Sequence, residues 1–296
     1  MVTAVLSVES PRSIDEAVGL LSASDESVRP IAGGTGLGLL MKHGFFRPTR
    51  LVNLRHLASE LAQVKVTADG ALHIGSMTTL RSLEASQEAH RHAPVLRQAL
   101  RSLATVRLRN VAQVGGAIAH GDPQMDLPPV LLALDAKIRV SSRRGERWIA
   151  APDLFLGYYQ TAVANDELIL EIALPVMSDS RGVYRKFTAR TVDDWPILGI
   201  AAVVMLEDGR PGELRVAVGA VADHAQRLPA VETALSNFDQ SGREIGEVAE
   251  DAADRLPYSD RLTASAGYQR RLVAVHLRRV LEEVLLDPDR RTRGER

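Results

Sequence analysis

The first periodic signal along the chain is Ala17, Val18, Leu20 and Leu21, whose spacing predicts a helix. Ser13 stands before it as an N-cap, with Glu16 in the capping-box position. Residues 28–31 read as a short strand running into a glycine-rich turn, 37–42 as a helix and 51–54 as a second strand. Residues 1–55 therefore form a small α/β unit. Farther on, 72–75, 137–141 and 168–174 read as strands, 79–84 and 94–103 as helices, and 126–134 as a short buried helix. Beyond Met177, the apolar stretches 183–187, 197–206 and 214–221 predict a three-stranded antiparallel sheet, with the turn 207–212 joining its last two strands. Helices follow from Ala230. The last, 265–286, is expected to present Leu272, Val275, Val280, Leu281 and Val284 on one side.

This gives an α+β chain with a first domain over 1–176 (subdomains 1–55 and 56–176), a second over 177–286, and a charged tail at 287–296. Its 36 basic and 37 acidic residues leave no basic surplus for general nucleic-acid binding. The longest apolar run, 197–206, is too short for a membrane-spanning helix. The N-terminus has no basic stretch ahead of its apolar residues, so a signal peptide is not expected. Cysteine is absent, which excludes disulfides, zinc-thiolate sites, iron–sulfur ligation by this chain and a cysteine nucleophile. That fits a cytoplasmic protein.

Two glycine turns carry the candidate chemistry. The first is Ile31-Ala32-Gly33-Gly34-Thr35-Gly36-Leu37-Gly38, between a strand and a helix. Glycines let backbone amides converge on a ligand, and a helix N-terminus adds positive potential, which suits a phosphate or pyrophosphate. It is neither a Walker A loop nor a Rossmann fingerprint: no Gly-Lys pair occurs, and Leu39 stands where the third Rossmann glycine belongs. A purely structural turn is the competing reading. The second turn, Gln113-Val114-Gly115-Gly116-Ala117, leads into Asp122-Pro123-Gln124-Met125-Asp126. Two such turns fit a dinucleotide gripped at its diphosphate from both sides. Asp126 either accepts hydrogen bonds from ligand hydroxyls or caps the helix it opens, and capping is the simpler account. His90 and His92 lack further ligands at metal spacing, so no metal site is expected. Asp193 and Asp194 are neighbours whose side chains would diverge on a strand, so they make no acid–base pair. His120 either approaches the ligand or simply packs.

Together these blocks resemble the FAD-binding medium subunit of the molybdenum hydroxylases, the family of xanthine dehydrogenase and carbon monoxide dehydrogenase. The resemblance rests on Ala32-Gly33-Gly34-Thr35, on Arg109-Asn110 through Gly115-Gly116, on Asp122-Pro123 through Asp126-Leu127-Pro128, on Tyr184-Arg185-Lys186-Phe187 with Arg190 and Asp194, and on Asp260, Tyr268 and Arg270-Arg271. It implies an FAD fold of the vanillyl-alcohol-oxidase (PCMH) type, completed by a C-terminal domain. By position, Ile31, Ala32, Gly33, Gly34, Thr35, Gly36 and Leu37, with Gln113, Val114, Gly115, Gly116 and Ala117, would hold the diphosphate and ribityl chain, mostly through backbone amides. Asp126 matches an FAD-contacting acid, Leu103 and Ile169 match apolar contacts, and Lys186 matches a flavin-side lysine whose charge, with Arg190, would stabilise reduced flavin. Trp195 falls where relatives carry an aromatic residue near the ring.

The sequence departs from the family pattern at Gly36, Gln113 and Ala117, each of which removes a side-chain partner and keeps the backbone amide. The resemblance further implies that a large partner subunit carries the molybdenum cofactor and a small one two [2Fe–2S] clusters, in a dimer of heterotrimers. This chain would pass electrons from the clusters through FAD to an external acceptor, with no catalytic residue of its own. A stand-alone flavin oxidase and a flavin-free scaffold subunit are the alternatives.

Overall fold

The computed structural model describes residues 6–22, 27–177, 179–236 and 242–286. The expected tail at 287–296 lies outside them. Two compact units divide the rest, the first drawn from Met1–Ala89, Thr105–Gly121 and Ala136–Val176, the second from His90–Ala104, Asp122–Asp135 and Met177–Arg296. Two segments that lie within residues 56–176 in sequence, 90–104 and 122–135, thus pack in the second unit.

The first unit opens with a three-stranded parallel sheet in the order β1 (Ser7–Glu9), β3 (Arg50–Asn53), β2 (Val28–Ile31). Its crossover helix, Ile14–Leu21, starts as expected: the Ser13 side chain accepts from the Glu16 amide. The reciprocal bond of the capping box shifts by one residue, because the Glu16 carboxylate accepts from the Arg12 amide at 2.8 Å. Ala17, Val18 and Leu21 from this helix join Val52, Leu54, Met77, Leu168 and Leu170 in one core. That core ties the parallel sheet to a five-stranded antiparallel sheet, order β4 (Val64–Val66), β5 (Leu72–Gly75), β10 (Leu168–Leu174), β6 (Lys137–Ser142), β7 (Gly145–Ala150). A short hairpin of β8 (Phe155–Gly157) and β9 (Gln160–Thr161) completes the unit.

The second unit is built on an antiparallel sheet in the order β11 (Ser180–Thr188), β12 (Pro196–Glu207), β13 (Arg210–Gly219), β14 (Gln226–Arg227). The expected three strands are present, and Gln226–Arg227 adds a fourth, two residues long and without an apolar run to announce it. Strand β12 is buried on nearly every residue because both its faces are covered, by the helix Leu127–Ala133 and by the long helix Ala266–Leu285. The long helix buries Val273, Leu277, Val280, Leu281 and Val284. Val275 is exposed and Leu272 only partly buried, against expectation, because position 275 lies about 200° around the helix from Val273. The face instead includes a fully buried Gln269, whose amide donates to the Ser259 and Ala264 carbonyls.

Candidate functional site

In the first unit, β2 delivers the chain to Gly33 and Gly34. Gly34 is the N-cap of the helix Thr35–Lys42, adopts a left-handed φ of 69° and offers no side-chain cap. The helix start is therefore open to an acceptor from outside. A Cβ at Gly33 would lie 2.1 Å from the Val111 carbonyl oxygen, so no side chain fits there. None of the residues of this helix is fully buried, although Leu37, Leu39, Leu40 and Met41 are apolar.

The second glycine segment forms the helix Val114–Ala119, which also lacks a side-chain cap. A Cβ at Gly115 would lie 2.6 Å from that of Ser76. Three amides of this helix are committed within the protein. The amides of Val114, Gly115 and Ala117 donate to the carbonyls of Thr78, Ser76 and Gln113. What remains is the exposed backbone at Gly116 and the side chain of Gln113, whose Oε1 is buried without a hydrogen-bond partner. Ser76 Oγ and Thr78 Oγ1, just beneath, are buried and unpartnered as well.

The two segments converge. Gly116 faces the Ala32 methyl, Gly33 meets Val111 and Ala112, and Gly36 meets the ring of His120. The Val111–Ala112 stretch is anchored from behind: the Leu80 amide donates to the Ala112 carbonyl at 2.9 Å, and buried Arg109 donates to buried Glu84 at 3.1 Å. Burial opposes charge on Glu84, but hydrogen bonding and charge from Arg81 and Arg109 outweigh it and hold its pKa below the usual range.

The second unit holds a different construction. Tyr184 and Lys186 are two residues apart on β11 and so share a face. Asp126 sits at the N-cap position of the helix Leu127–Ala133, yet its side chain makes no capping bond. The capping account is thereby overturned. The carboxylate instead accepts from Tyr184 Oη at 2.7 Å and from Lys186 Nζ at 3.1 Å, and Lys186 also donates to the Ser102 carbonyl at 2.8 Å. The side chains of Lys186 and Asp126 are only 4% and 6% exposed. Lys186 is thus a buried ion-pair partner, and its positive charge is matched locally. Burial raises the Asp126 pKa despite Lys186 and Tyr184, and burial beside Asp126 drives the Tyr184 phenol well above its ordinary value. Gly199, opposite Lys186 in the sheet, makes room for the phenol: a Cβ there would lie 2.9 Å from Tyr184 Oη.

The remaining expected residues are scattered. Leu103, in the second unit, and Ile169, in the first, are buried. Arg190 and Asp193 are exposed. Trp195 is exposed too, but its indole donates to Asp122 at 3.2 Å, and the same carboxylate accepts from the Gln124 amide. Tyr184 and Asp122 are motif members whose partners the sequence does not indicate; for Tyr184, the two-residue spacing to Lys186 is the available signal. Among the described residues no group of three His, Asp or Glu could hold a metal ion, and no helix is long and apolar enough to cross a membrane.

The residues present fit a dinucleotide. The first helix start is open, the glycine contacts leave no space for side chains, and Gln113, Ser76 and Thr78 carry unpartnered polar atoms around the second. Comparison with known proteins gives the class. Residues 4–177 match the FAD binding domain in molybdopterin dehydrogenase, and residues 183–284 the CO dehydrogenase flavoprotein C-terminal domain. The chain is 34% identical over 274 residues to the nicotine 6-hydroxylase medium subunit of Paenarthrobacter nicotinovorans, covering 93% of this chain and 95% of that one. It is 30% identical to the carbon monoxide dehydrogenase medium chain of Hydrogenophaga pseudoflava, over 92% and 94%. A solved structure of carbon monoxide dehydrogenase from Hydrogenophaga pseudoflava superposes with a TM-score of 0.90 at 28% identity, over 96% of this chain and 98% of that one. The chain belongs to the family of FAD-binding medium subunits of molybdenum hydroxylases, and is an oxidoreductase subunit.

Proposed function

We propose that this chain is the electron-transfer subunit of a heteromeric molybdenum hydroxylase in the cytoplasm. Electrons arrive from [2Fe–2S] clusters in a small partner subunit and leave through FAD to an external acceptor. A large partner carries the molybdenum cofactor, and the assembly is a dimer of heterotrimers. The observation that carries this reading is the convergence of the two glycine segments at Gly116–Ala32 and Gly33–Val111. The complete absence of cysteine supports it from the other side, since the clusters must then be held by another chain.

When bound, FAD supplies the redox chemistry. The protein binds and orients it. The backbone from Ile31 to Leu37 receives the diphosphate, and Gly116 and Gln113 complete the grip, while Val114, Gly115 and Ala117 hold the second helix in place through their own hydrogen bonds. Ile169, in the same unit, supplies apolar surface. In the second unit Asp126 and Lys186 form a balanced buried pair, so that cluster offers directed hydrogen bonding more than net charge. Substrate choice belongs to the large subunit. The names of the medium-subunit relatives accord with this: nicotine 6-hydroxylase and carbon monoxide dehydrogenase act on unlike molecules, yet their medium subunits match this chain over nearly its whole length.

Purification of the complex through a tag on this chain tests the proposal. Flavin and iron–sulfur absorbance, molybdenum and two further subunits are expected. A single chain that carries flavin but no partner would overturn the electron-transfer reading in favour of a stand-alone flavin oxidase.

A further inference from the structure

The replacement at Gly36 has a structural counterpart. His120 is the C-cap of the second glycine helix, and its ring lies against the first turn of the other one. A Cβ at Gly36 would stand 3.2 Å from three atoms of that ring, Cγ, Cδ2 and Cε1, closer than ordinary van der Waals contact. The ring is also backed. Tyr159 meets it nearly edge-on, with centroids 5.1 Å apart and planes at 69°. The Tyr159 backbone is anchored in turn, its amide donating to the Gly121 carbonyl at 2.9 Å and its φ left-handed at 53° at the tip of the β8–β9 hairpin, while its side chain is half exposed. Gly121, at φ 62°, lets that hairpin sit close, since a Cβ there would lie 3.0 Å from the Gln160 amide nitrogen. His120 therefore lies between Gly36 and Tyr159.

The geometry points to His120 as a positioning residue that locks the two glycine helices together by filling the space a side chain at position 36 would need. Gly36 and His120 then form one coupled unit. The side chain absent at 36 is replaced by a ring supplied from the other helix, and the spacing of the two helix starts depends on that contact. The inference rests on the FAD reading, because only a bound dinucleotide makes that spacing matter.

A double-mutant cycle on the full-length chain, with FAD dissociation constants measured by titration calorimetry, tests it. Gly36→Ser should weaken FAD about tenfold in the presence of His120 and less than about threefold in its absence, because the two residues compete for one space. His120→Ala alone should weaken binding about tenfold, and His120→Phe, which keeps a ring, should stay within about threefold of the parent. Fold-changes that simply multiply would overturn the coupling. A His120→Phe protein as weak as His120→Ala would overturn the packing role. The same cycle on melting temperature without FAD reports the contact independently of the ligand. If the parent chain takes up no FAD while the melting temperatures remain coupled, it is the FAD reading that fails. Additive melting temperatures would refute the contact itself.

Discussion

At Gly33 one added carbon would stand 2.1 Å from a backbone carbonyl, whereas at Asp126 three side chains already meet within 3.1 Å. The glycine segments of the first unit are defined by space left free, and nearly all their hydrogen bonding is backbone. The cluster of the second unit is defined by charge and donors packed into a buried volume. Shape governs the one and electrostatic balance the other, so they should answer differently to substitution and to pH.

The acidic groups in the two regions already differ in sign. Burial raises the Asp126 pKa, so the folded state favours its protonated form. That contribution is complete below the unfolded value near 3.8 and is lost as pH rises through the folded pKa. Glu84, behind the glycine segments, has its pKa lowered. Its contribution is present above the unfolded value near 4.5 and is lost as pH falls through the folded one.

The largest effect is expected from Lys186→Met. It strands the Asp126 carboxyl in a buried site and should cost about 3–5 kcal/mol at pH 8 by urea denaturation, less at pH 5 where the carboxyl can take up a proton. Adding Asp126→Leu should recover most of the loss, since a buried pair is often replaceable by apolar groups. Gly33→Ala should cost about 3 kcal/mol and abolish FAD retention on gel filtration, with no partner substitution able to restore it, because the obstacle is a main-chain carbonyl. If a second change near Val111 rescued Gly33→Ala, shape would not be the governing feature. Tyr184→Phe removes one hydrogen bond to a carboxylate and should cost about 2 kcal/mol in the same denaturation assay. Glu84→Gln retains an acceptor for Arg109 and should cost about 1 kcal/mol at pH 7, shrinking toward pH 4. A loss that grew toward low pH would contradict the assigned sign.

The same contrast explains what could be read from the residues alone. The glycine segments were legible because their information is local: consecutive residues, with strand before and helix after. So were β12, whose apolar run reflects burial on both faces, and the helix start at Ser13. The Asp126–Tyr184–Lys186 cluster was legible only as separate residues, since it joins positions 58 and 60 apart in sequence. The committed amides of Val114 and Gly115 were hidden for the same reason, because their acceptors lie on the stretch after β5. Strand β14 has no signal in the sequence because two polar residues carry no periodicity, and Val275 is exposed despite its hydrophobicity because helical angle sets the buried face.

The central claim is that this chain holds FAD, and the visible absorption spectrum of the purified full-length protein after incubation with FAD and gel filtration tests it most directly. Close to one flavin per chain, carried through the column, is the predicted result. A folded protein that emerges colourless would contradict it.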